Sequence, residues 1–221
     1  MTGKFSKYLK SKKPIIKKLV EILGTKYSYV SVLATDVSGV SINVDRASTN
    51  VAPSGITESG FVIKVYNDAV YSEYSLNEIE EKNFDEIINE IEKLAKAKST
   101  IKNVNVNVLQ EEKLEKKFNR KNVGKVYSTD EVISILSGYV RETIESSPLI
   151  MNATAALEST EISKMFISKN KDLEQYYTWC NPRCFVIVRK DDVTRYAYDG
   201  FGSNSMEECL TDLKTAISEN A

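Results

Sequence analysis

Hydrophobic positions along the chain switch between a helical and a strand period, and the switches mark out its elements. Ile15, Ile16, Leu19, Val20 and Leu23 recur at helical spacing, with Pro14 placed for a first turn and Gly24 where a C-terminal glycine cap belongs. Tyr27 to Ala34 and Gly39 to Asp45 then alternate with period two. The polar run Asp36 to Gly39 between them predicts a hairpin turn. Phe61 to Tyr66 and Ala69 to Tyr74 predict a second hairpin around Asn67-Asp68. A helix follows with Phe84, Ile87, Ile88, Ile91, Leu94 and Ala95 on its apolar face; Asn83 is the expected cap and Glu86 its capping-box partner.

From Lys98 to Lys125 the pattern weakens. Ile101 to Leu109 alternates valine with asparagine, as a short edge strand would. Glu111 to Arg120 is dense in charge and reads as a solvated connector with a helical turn or two. Regular patterning then resumes. Ser128 with Glu131 forms a capping box ahead of Val132, Ile133, Leu136, Val140 and Ile144. Asn152 to Ser159 and Glu161 to Ser168 predict a strand pair, and Cys184 to Arg189 with Val193 to Tyr198 another hairpin. Ser205 with Glu208 opens a last helix carrying Met206, Cys209, Leu210, Leu213 and Ile217.

Both halves thus run helix, hairpin, hairpin, helix, with Phe61-Val62-Ile63 and Phe185-Val186-Ile187 in matching places. The order suggests an internal duplication with a period of about 120 residues. The expected fold is α+β, two antiparallel sheets built of hairpins and covered by helices. The expected organisation is a first α+β unit over 1–98, a charged connector over 99–126 and a second α+β unit over 127–221.

Composition narrows the chemistry. The 221 residues carry a net charge of −1, so no overall field recruits nucleic acid or an anionic membrane, and no apolar run is long enough to span a bilayer. The lysine-rich stretch from Met1 to Lys18 lacks the apolar core of a secretory signal and reads as a frayed, solvated terminus. Three cysteines, Cys180, Cys184 and Cys209, suggest a reducing, cytoplasmic setting rather than a disulfide framework. The chain contains no histidine. Zinc sites, serine triads and most cysteine nucleophiles use imidazole as ligand or base, so this chain by itself cannot be a histidine-dependent hydrolase.

Weaker motifs are better read as structure. Cys180-Asn-Pro-Arg-Cys184 could hold a metal or a redox pair, but a zinc site wants four ligands and the redox motif has two intervening residues rather than three. The acidic pairs Asp191-Asp192, Glu111-Glu112 and Glu80-Glu81 sit where charges are ordinarily solvated. The loops at Thr49–Gly60 and Gly200–Ser203 lack a phosphate-cradling glycine pattern. Many of the 12 tyrosines fall on strands. A strand bearing Tyr66, Tyr71 and Tyr74 is the candidate for accepting an extended peptide by strand addition.

The ordered segments resemble the amino-terminal domain of the TldD/PmbA family of metalloproteases. The resemblance rests on a helix ending at Leu23-Gly24, then Tyr27-Ser-Tyr-Val-Ser-Val-Leu, then Val40-Ser-Ile-Asn-Val-Asp-Arg. Ser59-Gly-Phe-Val-Ile-Lys-Val-Tyr-Asn-Asp-Ala-Val-Tyr-Ser and the helix from Asn83 complete the first portion. Thr160-Glu-Ile-Ser-Lys-Met-Phe-Ile-Ser-Lys-Asn and Cys184-Phe-Val-Ile-Val-Arg resemble the next. The resemblance implies a zinc-dependent, dimeric family acting on unfolded or short peptides, whose histidine-bearing metal motif lies downstream of the matched region. No catalytic, cofactor or metal residue carries over to this chain. The implied role is a non-catalytic, substrate-guiding and dimerising half that works with a carboxy-terminal catalytic half or a paired subunit. The competing expectations are a stand-alone peptide- or protein-binding module and an unrelated carboxylate- or thiol-based enzyme.

Overall fold

The computed structural model describes residues 4–56, 58–67, 70–98, 111–120 and 122–221. In chain order it contains α1 (Lys7–Gly24), β1 (Tyr29–Asp45), β2 (Thr49–Pro53), β3 (Gly60–Tyr66) and β4 (Tyr71–Leu76). A 3-10 turn at Glu81–Asn83 leads into α2 (Phe84–Lys98). Then come β5 (Leu114–Arg120), α3 (Thr129–Ser146), β6 (Ile150–Ser168), β7 (Lys171–Lys190), β8 (Val193–Gly200) and α4 (Met206–Glu219). The α+β class is the expected one.

The strands form a single sheet rather than the two expected, in the order β4-β3-β1-β6-β7-β5. β2 is added beside the second half of β1 and β8 beside the second half of β7. Pairing is antiparallel except between β5 and β7, which run parallel.

Two expected turns are absent because the long central strands pair with each other. β1 continues through Asp36–Gly39, in unbroken register with β6 from Ser31↔Ser168 to Asp45↔Thr154. β6 likewise runs straight through Ser159 and Thr160, so neither the Asp36–Gly39 hairpin nor the Asn152–Ser168 strand pair exists. Turn propensity is a local preference, and two long ladders outweigh it.

Pro182 lies mid-strand in β7, not in a turn. Cys180 N–H donates outward to the Ser203 carbonyl (2.8 Å), and Phe201 N–H donates to the Pro182 carbonyl (3.3 Å). The N–H that proline lacks would therefore point outward too, so no bond to β6 is lost. The charged stretch expected to be a solvated connector contains β5, exposed throughout, on the far edge of β7. The Ile101–Leu109 strand expectation lies outside the described residues.

The expected Phe61–Tyr74 and Cys184–Tyr198 hairpins are both present. The tip of the first, Asp68 and Ala69, lies outside the described residues. Asp191 turns the second at φ 53°, a left-handed conformation that aspartate tolerates better than most residues.

Helix boundaries follow capping chemistry. α1 begins well before Pro14: Ser6 is its cap, accepting from Leu9 N–H at 3.1 Å, and the segment read as frayed is ordered helix from Lys7. Pro14 sits inside α1 on its exposed side. The helix ends through Thr25 in a right-handed conformation, whose N–H and hydroxyl reach the Ile22 carbonyl, so Gly24 is no left-handed cap. α3 carries the expected reciprocal box, Ser128 Oγ accepting from Glu131 N–H (3.2 Å) and Glu131 from Ser128 N–H (2.8 Å). At α4 only half of the box forms. Ser205 accepts from Glu208 N–H, while the Glu208 carboxylate accepts from the Ser203 hydroxyl.

All four helices pack on one face of the sheet, in two pairs. α1 and α2 cover Val30, Val32, Ala34, Phe61, Ile63 and Val65, with Met165 and Ile167 from β6. α3 and α4 cover Ile42, Val44, Ala155, Leu157, Cys184 and Val186. Each fully buried aliphatic or phenyl side chain in these clusters contributes about 1.5–3 kcal/mol of transfer free energy.

The two halves share an element order of helix, long strand, hairpin and helix, meeting where β1 pairs with β6. The residue match between them fails, however. Phe61 and Ile63 face the helices, whereas Phe185 pairs with Tyr198 and Ile187 with Tyr196 on the opposite face. The repeated Phe-Val-Ile is out of phase by one residue, which in a strand reverses every side chain.

Candidate functional site

Between the two helix pairs no helix among the described residues packs on the helix-bearing side of the sheet, and the floor changes chemistry there. Along β1 the helix-facing positions read Val30, Val32, Ala34, then Asp36 and Ser38, then Val40, Ile42 and Val44. Along β6 they read Ala153, Ala155, Leu157, then Ser159, Glu161 and Ser163, then Met165 and Ile167. Tyr176 and Thr178 of β7 continue the polar band, aligned across the ladder with Ser163 and Glu161. A stripe that is apolar at both ends and polar in the middle fits a gap between two cores, because polar side chains there find hydrogen-bond partners that a packed apolar helix face would not supply.

Two chambers share this cleft. One, of about 500 Å³, lies at the start of α1 and is lined by Phe5, Ser6, Tyr8, Asp36, Glu161 and Tyr176, with Lys4 and Lys7 also on its wall. The other, of about 350 Å³, lies at the start of α3, beneath Tyr127 and Ser128, and is floored by Val40, Ile42, Leu157 and Met206. They meet at Ser38 and Glu161, which line both. Volumes in this range suit small molecules and short peptide segments.

Hydrogen bonds fix the floor. Asp36 accepts from the Ser6 hydroxyl at 2.5 Å and from the Ser59 hydroxyl at 3.3 Å. Ser6 N–H donates to Ser163 Oγ (3.0 Å), tying the start of α1 to β6. Tyr176 hydroxyl donates to Glu161 Oε1 (3.0 Å). Thr178 is 2% exposed and its hydroxyl has no hydrogen-bond partner among the described residues. A buried hydroxyl left without a partner costs about 1–3 kcal/mol.

The tyrosines singled out from the sequence are split by the sheet. Tyr66 and Tyr71 are cross-strand partners on the helix-free face, their rings 4.9 Å apart, with Tyr29 edge-on to Tyr71 at 5.8 Å. Tyr74 points to the other face and packs with the α1/α2 cluster. All three belong to the outermost hairpin, and β4 has a strand partner on one side only among the described residues.

The cysteines rearrange as well. Cys180 and Cys184 point to the same face of β7 but stand four residues apart, about 13 Å along a strand. Cys180 instead meets Cys209 of α4, whose thiol donates to the Cys180 carbonyl oxygen at 3.7 Å. The hydrogen bond to Cys209, together with burial, pushes the Cys180 thiol well above its ordinary range. Burial also raises Cys184. All three are buried free thiols, so none has the exposed, electropositive setting of a reactive cysteine. Among the described residues no three histidine, cysteine, aspartate or glutamate side chains are grouped to hold a metal ion. No helix among them is long and apolar enough to cross a membrane.

Sequence reasoning missed the cleft. Asp36 and Ser38 fall in the expected Asp36–Gly39 turn, Ser159 at the end of one expected short strand, and Glu161 and Ser163 within the next. The available signal was parity: read as uninterrupted strands, both segments place their polar residues in phase with the flanking apolar ones.

The arrangement defines a class: a one-sided α+β sheet with two helix pairs flanking a polar cleft. No protein-family model and no curated protein matches the chain. Solved structures do. TldE from Thermococcus kodakarensis superposes with a TM-score of 0.70 at 13% identity, covering 93% of this chain and 46% of that one. A proposed modulator of DNA gyrase from Thermotoga maritima gives 0.69 at 14%, covering 95% and 47%. Another from Bacteroides thetaiotaomicron gives 0.68 at 15%, covering 94% and 49%. The chain therefore has the TldD/PmbA-type fold that its segment order resembled. It spans about half the length of these neighbours.

Proposed function

We propose that this chain is the non-catalytic, substrate-guiding and dimerising half of a TldD/PmbA-like zinc metalloprotease that acts on unfolded or short peptides. The observation that carries the reading is the fold match over 93–95% of this chain and only 46–49% of each neighbour, in a sequence without histidine. Zinc and its ligands would then come from a carboxy-terminal half or a paired subunit. An extended peptide would add to the outer edge of β4 beside Tyr71 and Tyr66, with Tyr74 holding that strand against the helices. Three free buried thiols suit a reducing cytoplasm.

A peptidase assay on an unstructured peptide with added zinc tests this. It compares the 221-residue chain alone with the chain joined to, or mixed with, a histidine-bearing half. Activity is expected only in the second case and should vanish with a chelator. Chelator-sensitive hydrolysis by the chain alone would sink the proposal. Peptide bound in both cases and cleaved in neither would favour a stand-alone peptide-binding module.

A further inference from the structure

We propose that β8 is the interface between two copies of this chain. The two β8 edges pair antiparallel about a two-fold axis at Ala197, with Arg195 of each copy opposite Asp199 of the other. The inference rests on the dimerising role proposed above and gives that role a place and a register.

β8 is exposed at seven of its eight positions, and among the described residues its strand partner is β7 alone. Tyr196 is 74% exposed and Tyr198 62%. Open edges are ordinarily protected against pairing by cations, proline or a covering element. β5 follows that rule with Lys116, Lys117 and Arg120, and β2 with Pro53. β8 has neither lysine nor proline, and its two charges are of opposite sign.

The backbone of β8 is in phase for the pairing. Phe201 N–H donates inward to the Pro182 carbonyl (3.3 Å), one step beyond the Arg183–Gly200 register pair. Residues of an antiparallel ladder alternate in direction, so Val193, Arg195, Ala197 and Asp199 bond to β7. Thr194, Tyr196, Tyr198 and Gly200 turn their N–H and C=O groups outward. At the two ends these groups have local partners: the Arg195 guanidinium donates to the Thr194 carbonyl (3.1 Å), and Gly200 N–H to the Asp199 carboxylate (2.7 Å). Tyr196 and Tyr198 are the open centre of the edge.

Charge selects one register. A two-fold pair centred on Arg195 or Asp199 sets that residue against its own copy, a like-charge contact. Centres at Tyr196 or Tyr198 put Arg195 opposite Ala197 or Phe201, and centres nearer either end run the pairing off the strand. The centre at Ala197 sets Arg195 against Asp199 on both sides of the axis. It also pairs Tyr196 with Tyr198, each pair exchanging two N–H···O bonds. The ion pairs fall at non-hydrogen-bonded positions, where facing α-carbons are about 4.5 Å apart and side chains meet most closely. A single edge contact belongs with weak, transient interfaces, below about 1,200 Å².

Sedimentation velocity on the 221-residue chain reads the association, over a range of about 5–500 µM suited to a weak interface. A monomer–dimer equilibrium is expected. Arg195→Asp and Asp199→Arg should each raise the dissociation constant at least about tenfold, because each sets like charges opposite one another. Both positions are exposed, so the variants keep the fold. An equimolar mixture of the two variants should dimerise as wild type does, and so should the doubly reversed chain, since both restore opposite charges across the axis. A wild-type dimer indifferent to the reversals, or one that neither the mixture nor the double reversal restores, overturns the β8 pairing and leaves the dimerising role to another surface. A chain monomeric at every concentration overturns the pairing and the dimerising role together, while the peptidase assay above still decides the protease reading.

Discussion

Lys13 of α1 reaches across the helix–sheet interface to place its Nζ 2.8 Å from Glu174 Oε1 of β7. The same ammonium lies 2.6 Å from Asp172, which Lys17 also contacts at 2.7 Å. Glu174 is 6% exposed, so this is an ion pair largely withdrawn from water on the face that α1 covers. Burial opposes ionisation of Asp172, but the bonds to Lys13 and Lys17 win and hold its carboxyl below the ordinary range. Removing Lys13 would leave Asp172 with Lys17 alone and the more deeply buried Glu174 with only the Lys117 ammonium, 3.6 Å away. Lys13→Met should lower unfolding free energy by about 3 kcal/mol, the usual cost of breaking a buried pair from one side. Urea titration at neutral pH measures it, and a loss under about 0.5 kcal/mol would show the cluster to be effectively solvated.

The cap of α3 predicts an acid response. Glu131 is held down to about 2 by the Ser128 backbone N–H, the nearby Lys125 ammonium and the Ser128 hydroxyl. Because the folded value lies below the ordinary 4.5, its stabilisation is fully present above 4.5 and is lost as pH falls from there towards 2. Wild type should lose its advantage over Glu131→Gln in that window. Paired urea melts at pH 7 and pH 3 would read it; a constant difference between the two proteins would refute the assignment.

Gly39 has no room for a side chain. A β-carbon there would overlap the carbonyl oxygen of Ser159 and stand 3.0 Å from Cβ of Ser54. Both neighbours are held by the β1–β6 ladder and by the Ser54 N–H to Gly39 carbonyl bond. Gly39→Ala should therefore destabilise by about 1–3 kcal/mol, the range for overpacking. Gly138 in α3, where an added β-carbon would meet nothing within 4 Å, is the control: Gly138→Ala should be neutral or stabilising by up to about 1 kcal/mol.

The three thiols should be silent in the native state. Cys180 stays protonated at neutral pH because of its neighbour Cys209 and its burial. A disulfide-exchange reagent at pH 8 should titrate none of them rapidly, and all of them once the chain is unfolded. Fast reaction of one thiol in the folded protein would return Cys180-Asn-Pro-Arg-Cys184 to consideration as a functional motif.

Helix faces were legible because a helix buries one stripe whatever it packs against. The buried residues of α3 and α4 fall at the spacings read from Val132–Val140 and Met206–Ile217. The two outer hairpins were legible too, since each closes over few residues and alternates cleanly. Pro14 misled because its preference for a first turn is weaker than the Ser6 cap and the burial of Leu9 before it.

By itself, the sequence determined the α+β class, the amphipathic helices, the capping box of α3, the two outer hairpins and the lack of any imidazole chemistry. These depend on contacts near in sequence or on composition. Tertiary structure decided that β1 and β6 run unbroken against each other across more than 100 residues of chain, with Ser31 opposite Ser168 and Asp45 opposite Thr154. No local signal encodes a partner that far away. That one pairing turned two apparent turns into the floor of a cleft and brought Asp36 beside Glu161, while the packing of α4 on β7 set Cys180 against Cys209 rather than Cys184. Side-chain direction in a strand reverses with each residue, so only the realised register tells whether a polar residue ends an element or lines a site.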